Sequence, residues 1–300
     1  MTDKKRCIAL GFFDGVHIGH AALLRCVTEV SESKDLIPSV LTFDAHPRSL
    51  VTGKKTPLIC SPEDRAGLIS RQFGIDDVIF VHFDEETLKM SWQEFLRYLL
   101  EDFGARHLIF GRNFRFGYRG EGTAELLAAE CERLGVGYDI ISEVTADGQV
   151  SSSTLIRELL TDGNMRESVR FLGHPYVLTD FVRFGFRLGR TIGTPTVNMR
   201  FPENVLIPAF GVYCAKVYPD TGGEFLGVTN IGTRPTVAEN SDSVTAETYI
   251  LDFRGNLYGH TVRIELYERI RGEQKFSDIT ELKERISLDV AGVREYFAGA

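Results

Sequence analysis

Short apolar runs alternate with amphipathic ones along the chain up to about residue 172. Cys7–Gly11, Ser39–Phe43, Asp77–Val81, His107–Phe110 and Gly137–Ile141 have the length and composition of buried strands. Gly19–Ser31, Glu63–Phe73, Ser91–Phe103 and Thr123–Leu134 lie between them and repeat apolar residues at helical spacing. Ser61-Pro62-Glu63-Asp64 reads as a helix opening, with a hydroxyl cap, a first-turn proline and acids at the positive end of the dipole. The alternation predicts a parallel sheet flanked by helices. In such sheets ligands bind beyond the carboxyl ends of the strands. The texture changes near Phe171-Leu172-Gly173-His174-Pro175-Tyr176. Beyond it come short strand-like runs separated by glycines, Tyr176–Phe186, Gly211–Tyr218, Phe225–Ile231, Ala246–Phe253 and Thr261–Ile270, which predict a small closed or nearly closed β-barrel. The last run, Ile279–Phe297, is helical, with Leu282, Ile286, Val290 and Val293 on one face.

Composition narrows the class. Three hundred residues, 43% of them hydrophobic, suffice for two domains with real cores. A net charge of −8 argues against a general nucleic-acid surface while leaving room for local phosphate sites. The cysteines, Cys7, Cys26, Cys60, Cys131 and Cys214, are scattered without a Cys-x-x-Cys pair, which predicts reduced thiols and a cytoplasmic protein. The N-terminal apolar run is too short for a signal peptide, and no run of about 18 apolar residues is present to span a membrane. Neither a low-complexity tract nor an internal repeat is present.

Four loops at the predicted carboxyl ends carry unusual chemistry. Gly11-Phe12-Phe13-Asp14-Gly15-Val16-His17-Ile18-Gly19-His20 reads as strand end, glycine turn and helix start. Two imidazoles three residues apart there share a helix face with free backbone N–H groups and the positive dipole end, a setting that suits phosphate. Thr42-Phe43-Asp44-Ala45-His46-Pro47-Arg48 follows the second strand. Gly111-Arg112-Asn113-Phe114-Arg115-Phe116-Gly117 follows the fourth and mixes cations for phosphate with rings for stacking on a flat heterocycle. Ser151-Ser152-Ser153-Thr154-Leu155-Ile156-Arg157 follows the fifth; its hydroxyls cap a helix, and Arg157, about one turn in, can reach the same anion. Other nucleotide motifs fail: Gly53-Lys54-Lys55-Thr56 lacks the upstream glycine of a P-loop, and Gly117, Gly120 and Gly122 are wrongly spaced for a dinucleotide fingerprint. His17-Ile18-Gly19-His20 and Lys89-Met90-Ser91 resemble the signatures of class I aminoacyl-tRNA synthetases, but Trp92 stands where their second lysine belongs.

In the second half, Gly189-Arg190-Thr191-Ile192-Gly193-Thr194-Pro195-Thr196-Val197-Asn198 reads as a glycine-bounded loop in which backbone can approach phosphate and a threonine hydroxyl can ligate Mg²⁺. Glu247 interrupts a run of apolar and β-branched residues, so it is either solvent-facing or working. Asn230-Ile231-Gly232-Thr233-Arg234-Pro235-Thr236 and Arg271-Gly272-Glu273-Gln274-Lys275-Phe276 are polar loops able to close over a ligand.

Together these motifs resemble, in order and over nearly the whole chain, the bifunctional riboflavin kinase/FMN adenylyltransferases, also called prokaryotic FAD synthetases. The resemblance implies an N-terminal Rossmann-like nucleotidyltransferase domain over residues 1–172 and a C-terminal antiparallel, Greek-key-like riboflavin kinase barrel with a terminal helix over residues 173–300. It implies two reactions, phosphorylation of riboflavin to FMN and adenylylation of FMN to FAD with release of pyrophosphate. ATP and Mg²⁺ would serve both, with no nucleic acid or membrane partner. In the barrel, Glu247 would be the general base, Gly189, Gly193, Thr196 and Asn198 would hold ATP, Thr196 and Asn198 the metal, and Arg271 and Phe276 the flavin. In the first domain, Gly11, Phe12, Asp14, His17, His20, Ser153, Thr154 and Arg157 would hold ATP, the histidines stabilising the α-phosphate, with Asn113 and Phe116 lining the flavin or nucleotide pocket. Thr194, Val197, Tyr249, Asn256 and His174 depart from the usual phenylalanine, alanine, histidine, aspartate and arginine, which bears on flavin-pocket packing more than on reaction type. The rival readings are an enzyme with one of the two activities and a non-enzymatic flavin-binding regulator; His17, His20, Thr196 and Glu247 speak against the latter.

Overall fold

The strand β1 (Arg6–Leu10) is buried along its whole length, as the middle strand of a parallel sheet must be. In the computed structural model, which describes residues 4–46, 49, 55–82, 84–183, 196–234 and 243–299 (234 and 243 by their backbone alone), it pairs on one side with β2 (Ile37–Phe43) and on the other with β4 (Ala105–Gly111). With β3 (Asp77–Val81) and β5 (Gly137–Ile141), the described residues form a five-stranded sheet in the order β3-β2-β1-β4-β5, every pair parallel. The chain runs outward from β1 to β3, then crosses to β4 on the other flank. Leu10 stands level with Leu41 and with Phe110, so the loops after β1, β2 and β4 leave the sheet side by side. The gap between β1 and β4 is therefore the topological switch point, where open α/β sheets hold ligands.

The helices α1 (Ile18–Lys34), α2 (Pro62–Phe73), α3 (Trp92–Glu101) and α4 (Ala124–Leu134) connect these strands. Their starts are set locally. Ser61 Oγ accepts from Asp64 N–H at 3.0 Å, Ser91 and Glu94 form a capping box, and Thr123 Oγ1 accepts from Leu126 N–H. On one sheet face Phe95, Leu96 and Leu99 of α3 and Leu127 and Cys131 of α4 pack on Ile8, Leu10, Leu108 and Phe110. Burial of each large apolar side chain contributes about 1.5–3 kcal/mol.

The chain divides into two compact units, Met1–Ser153 and Thr154–Ala300. The division falls ahead of the change of texture near Leu172. The helix α5 (Ser153–Asp162), expected from the serine run that opens it, and α6 (Met165–Leu172), absent from the helices expected from periodicity, are bonded to residues of the second unit. Leu160 O accepts from Ala209 N–H at 3.0 Å, and Arg166 pairs with Glu268 at 2.6 Å. The second unit is an antiparallel sheet of β6 (Tyr176–Phe181), β7 (Thr196–Arg200), β8 (Gly211–Pro219), β9 (Phe225–Arg234), β10 (Ser243–Ile250) and β11 (Thr261–Arg271). Their order among the described residues is β6-β11-β8-β9-β10-β7, so that three hairpin-linked strands and a fourth returning beside the first make a Greek key. The two edges meet where Arg183 N–H donates to Asn198 O at 3.1 Å, which brings the sheet close to a closed barrel. The terminal helix α7 (Ile279–Ala298) places Val293 among Val212, Cys214, Val228 and Leu251. One expectation is corrected. The loop read over Gly189–Asn198 becomes strand from Thr196 on, because Thr196–Arg200 pairs with Tyr249–Thr245.

Leu99 is fully buried under the sheet, so Leu99→Ala is expected to destabilise the first unit by about 2–5 kcal/mol in a urea melt. A loss below about 1 kcal/mol would contradict the packing described here.

Candidate active sites

The turn between β1 and α1 holds three residues in left-handed conformation: Phe13 (φ 52°), Gly15 (75°) and Val16 (44°). For the phenylalanine, and more so for β-branched valine, this costs about 1–3 kcal/mol, so the surroundings must hold the turn. They do so from three sides. The fully buried Asp14 carboxylate accepts from Ile59 N–H at 2.8 Å and Cys60 N–H at 3.4 Å. Ser153 Oγ donates to Asp14 O at 3.0 Å. Phe12 O accepts from Thr42 Oγ1 at 2.7 Å and from Arg65 Nη1 at 3.0 Å.

The turn delivers His17 as the cap of α1. Its Nδ1 accepts from Gly19 N–H at 3.1 Å, which puts the proton of the neutral ring on Nε2. A side chain at position 19 would come within 2.9 Å of that imidazole, which is why glycine stands there. His20 stacks on His17 with ring centroids 3.6 Å apart and lies 5.1 Å from the Phe13 ring. Burial first, then the neighbouring His17 and Arg65, holds His20 well below the ordinary imidazole range. His20 is therefore a neutral ring at pH 7, fitted to hydrogen bonding more than to carrying a resident charge.

A cavity of about 300 Å³ opens at this switch point, lined by Gly11, Phe13, His17 and His20, by Gly111–Phe114 after β4, by Ile141–Val144 after β5 and by Val150–Ser153. Several residues singled out in the sequence meet here: Gly11, His17, His20, Asn113 and Ser153. Asn113 donates to Glu143 at 2.5 Å. Others stand behind the wall. Phe12 lies between His46 and the Arg65 guanidinium, and Asp14 faces backbone amides. Phe116 is a core ring against Phe114 and Phe95, while Phe114 itself lines the cavity. Thr154 and Arg157 follow Ser153 on α5, in the second unit. Pro47 and Arg48 lie outside the described residues.

In the barrel, position is set by cross-strand register. Asn198 on β7, Glu247 on β10 and Asn230 on β9 stand directly opposite one another, and so do Thr196, Tyr249 and Val228 two residues along. Opposed and alternate residues share a sheet face. This face borders a cavity of about 260 Å³ lined by Thr196, Asn230, Glu247, Tyr249, Arg271, Glu273 and Phe276, with Leu282, Ile286 and Asp289 of α7 as one wall. Arg271 is held by Asp289 through three hydrogen bonds, Nε–Oδ1 at 3.0 Å, Nε–Oδ2 at 3.2 Å and Nη2–Oδ2 at 2.7 Å, and its guanidinium stands over the Phe276 ring at 5.8 Å. Thr196 and Asn198 put a hydroxyl and an amide oxygen on the Glu247 face, hard donors of the kind Mg²⁺ takes. Among the described residues no group of three or more His, Cys, Asp or Glu could hold a metal by itself, so a cation here would need phosphate oxygens as well. Gly189 and Gly193 lie outside the described residues.

Sequence reasoning missed the roles of Arg65 and Asp289. Arg65 precedes Leu68 and Ile69 by three and four residues, on the buried stripe of α2, and an arginine on an apolar stripe is the signal that marks it.

Comparison with known proteins agrees in both halves. Residues 1–155 match the family described as FAD synthetase, and residues 172–297 the family described as riboflavin kinase. A Listeria monocytogenes bifunctional riboflavin kinase/FMN adenylyltransferase is 35% identical across 99% of this chain and 94% of its own length. The protein of that name in Escherichia coli K12 is 36% identical across 97% and 92%. The crystal structure of a Streptococcus pneumoniae protein described as macrolide-efflux matches with a TM-score of 0.85 at 27% identity, covering 98% of this chain and 95% of that one. A parallel α/β unit with a histidine-capped helix at its switch point, joined to an antiparallel barrel with a carboxylate facing its cavity, defines a two-part nucleotide-dependent transferase. The chain belongs to the bifunctional riboflavin kinase/FMN adenylyltransferase family. Among the described residues no helix is long and apolar enough to cross a membrane.

An NMR titration of the ligand-free protein is expected to place the His20 midpoint below the ordinary 6.5. The native state holds His20 neutral and the unfolded chain protonates it near 6.5, so its contribution to stability is complete above that pH and declines as pH falls through it. A midpoint at or above 6.5 would contradict the burial described.

Proposed function

We propose that each unit runs one of two successive reactions. In the barrel, riboflavin's 5′-hydroxyl oxygen attacks the γ-phosphorus of ATP, giving FMN and ADP. Glu247 takes the hydroxyl proton; Asn198 and Asn230 stand opposite it on the two neighbouring strands. Thr196 and Asn198 are the residues to hold Mg²⁺, which would neutralise triphosphate charge. Arg271 and Phe276 are the residues to hold the flavin. Phosphoryl transfer asks the protein chiefly for positioning and charge neutralisation, and a base within reach adds about 10²–10⁴-fold.

In the α/β unit, an FMN phosphate oxygen attacks the α-phosphorus of a second ATP, giving FAD and pyrophosphate. His17 donates from Nε2 to the α-phosphate as charge builds in the transition state, with His20 stacked behind it. Ser153 and the start of α1 receive the leaving phosphates, and Asn113 and Phe114 border the flavin or nucleotide pocket, with Phe116 stacked on Phe114 from the core side. The scattered free thiols and the absence of a spanning helix among the described residues support a cytoplasmic enzyme.

The observation that carries this reading is the pair of cavities, one in each unit, each bordered by its own candidate reacting groups. Separation of the flavins after incubation with riboflavin, ATP and Mg²⁺ should show FMN and then FAD. Glu247→Gln should lower FMN formation by about 10²–10⁴-fold while FMN supplied from outside is still converted to FAD. His17→Ala should spare FMN formation and suppress FAD formation. If either substitution silenced both reactions in folded protein, the assignment of one reaction to each unit would fail.

A further inference from the structure

Arg65 is fully buried, and nothing in the two reactions uses it. Removing a guanidinium from water is costly, and a chain that keeps one inside gives it a task or a set of acceptors. Arg65 Nη1 donates to three oxygens that come together where two strands end: Phe12 O at 3.0 Å, Thr42 Oγ1 at 2.9 Å and Phe43 O at 2.8 Å. Thr42 Oγ1 donates its own proton to Phe12 O, so hydroxyl and guanidinium converge on the carbonyl just before the left-handed Phe13. The guanidinium lies 4.5 Å from the Phe12 ring and 5.9 Å from the Phe80 ring, enclosed by aromatic faces. Its Nε and Nη2 have no hydrogen-bond acceptor among the described residues. The charge is thus fastened at one nitrogen and left unneutralised by hydrogen bonding at the others, beside the histidine pair.

We propose that Arg65 is a positioning residue of the adenylyl-transfer site, tying the Phe12 carbonyl to the end of β2 so that the turn after it presents His17 and His20 to the triphosphate. The proposal rests on the assignment of FAD formation to this cavity. The turn is held at its far and near sides, and the near side has few holders. Asp14 anchors the far side of the turn to the Ile59–Cys60 backbone, and Ser153 holds the Asp14 carbonyl, but among the described residues only Thr42 and Arg65 hold the near side at the Phe12 carbonyl. Without the arginine the Phe12 carbonyl keeps only the Thr42 hydroxyl, and the approach to the cap at His17, five residues on, is less firmly fixed. A group misplaced by 1 Å can cost about 10²-fold in rate. Charge adds a second effect: after burial and the neighbouring His17, the Arg65 charge helps keep the His20 ring neutral.

The test uses the full chain with Arg65→Met and Arg65→Lys. Arg65→Met keeps an unbranched side chain out to the ε position and removes the charge and the fork. It is expected to lower kcat for FAD formation from FMN by about 10²-fold, with the KM for ATP changed far less, while riboflavin phosphorylation in the same chain stays at the wild-type rate. The His20 midpoint, read by NMR, is expected to move up towards 6.5, a shift that a purely space-filling role would not produce. Arg65→Lys restores the charge but not three-acceptor geometry, so the midpoint should return while kcat recovers only in part. Folded Arg65→Met that makes FAD at the wild-type rate, or whose His20 midpoint is unmoved, would overturn the proposal. Should Arg65→Met fail to fold in this unit, Arg65→Lys decides, because full recovery of kcat by a single ammonium would also overturn it. Failure of the wild-type chain to form FAD would count against the reaction assigned to the cavity, whereas the His20 shift reads the action of Arg65 independently of turnover.

Discussion

One carboxylate, buried beneath a backbone turn, is what the first site depends on. Asp14 has no exposure to water and accepts from two consecutive backbone N–H groups, Ile59 and Cys60. Were it removed, those donors would be buried without partners, at about 1–3 kcal/mol each. The strained conformations at Phe13 and Val16 would lose the anchor that over-determines them. The strain is not incidental. A relaxed connection between β1 and α1 would start the helix elsewhere, and His17 would no longer cap it while presenting Nε2 at the switch point. Asp14, Arg65, Thr42 and Ser153 each act on the backbone of this one turn, and none of them needs to touch substrate for the histidines to depend on it.

The barrel reaches the same end by a different device. Its polar groups are aligned by antiparallel pairing, in which opposed residues share a face and alternate residues repeat it. Asn198, Glu247 and Asn230 form one row and Thr196, Tyr249 and Val228 the next. A slip of one residue in β10 would turn Glu247 away from the cavity and put Thr248 in its place, so register here is chemistry. The buried contact between the Thr229 and Thr248 hydroxyls, 2.8 Å apart on the opposite face, helps to fix that register. Asp289 extends the same logic to α7, because its hydrogen bonds to Arg271 tie that helix to the end of β11 beside the cavity.

The features legible in the sequence were local or periodic. The cap at Ser61 is written within four residues, and it forms. The parallel sheet is legible from alternation alone. Illegible features depended on partners far along the chain. Thr196–Arg200 reads as loop because its strand character comes from pairing with Thr245–Tyr249, almost fifty residues away. Phe114 and Phe116 are indistinguishable in sequence, yet one lines the cavity and the other joins the core, a choice made by Phe95 on α3. Asp14, read as a ligand-contacting residue, faces the backbone of a segment more than forty positions later. Arg65 was missed because its acceptors are mostly carbonyls, and carbonyls carry no signature in a sequence.

The most direct measurement is a crystal structure of the full chain with a non-hydrolysable ATP analogue, Mg²⁺ and flavin. Triphosphate is expected in both cavities, with an α-phosphate beside His17 in the first and a γ-phosphate within reach of Glu247 in the second. Triphosphate in a single cavity, or bound with the imidazole pair or Glu247 turned away from it, would contradict the assignment of one ATP-dependent reaction to each unit.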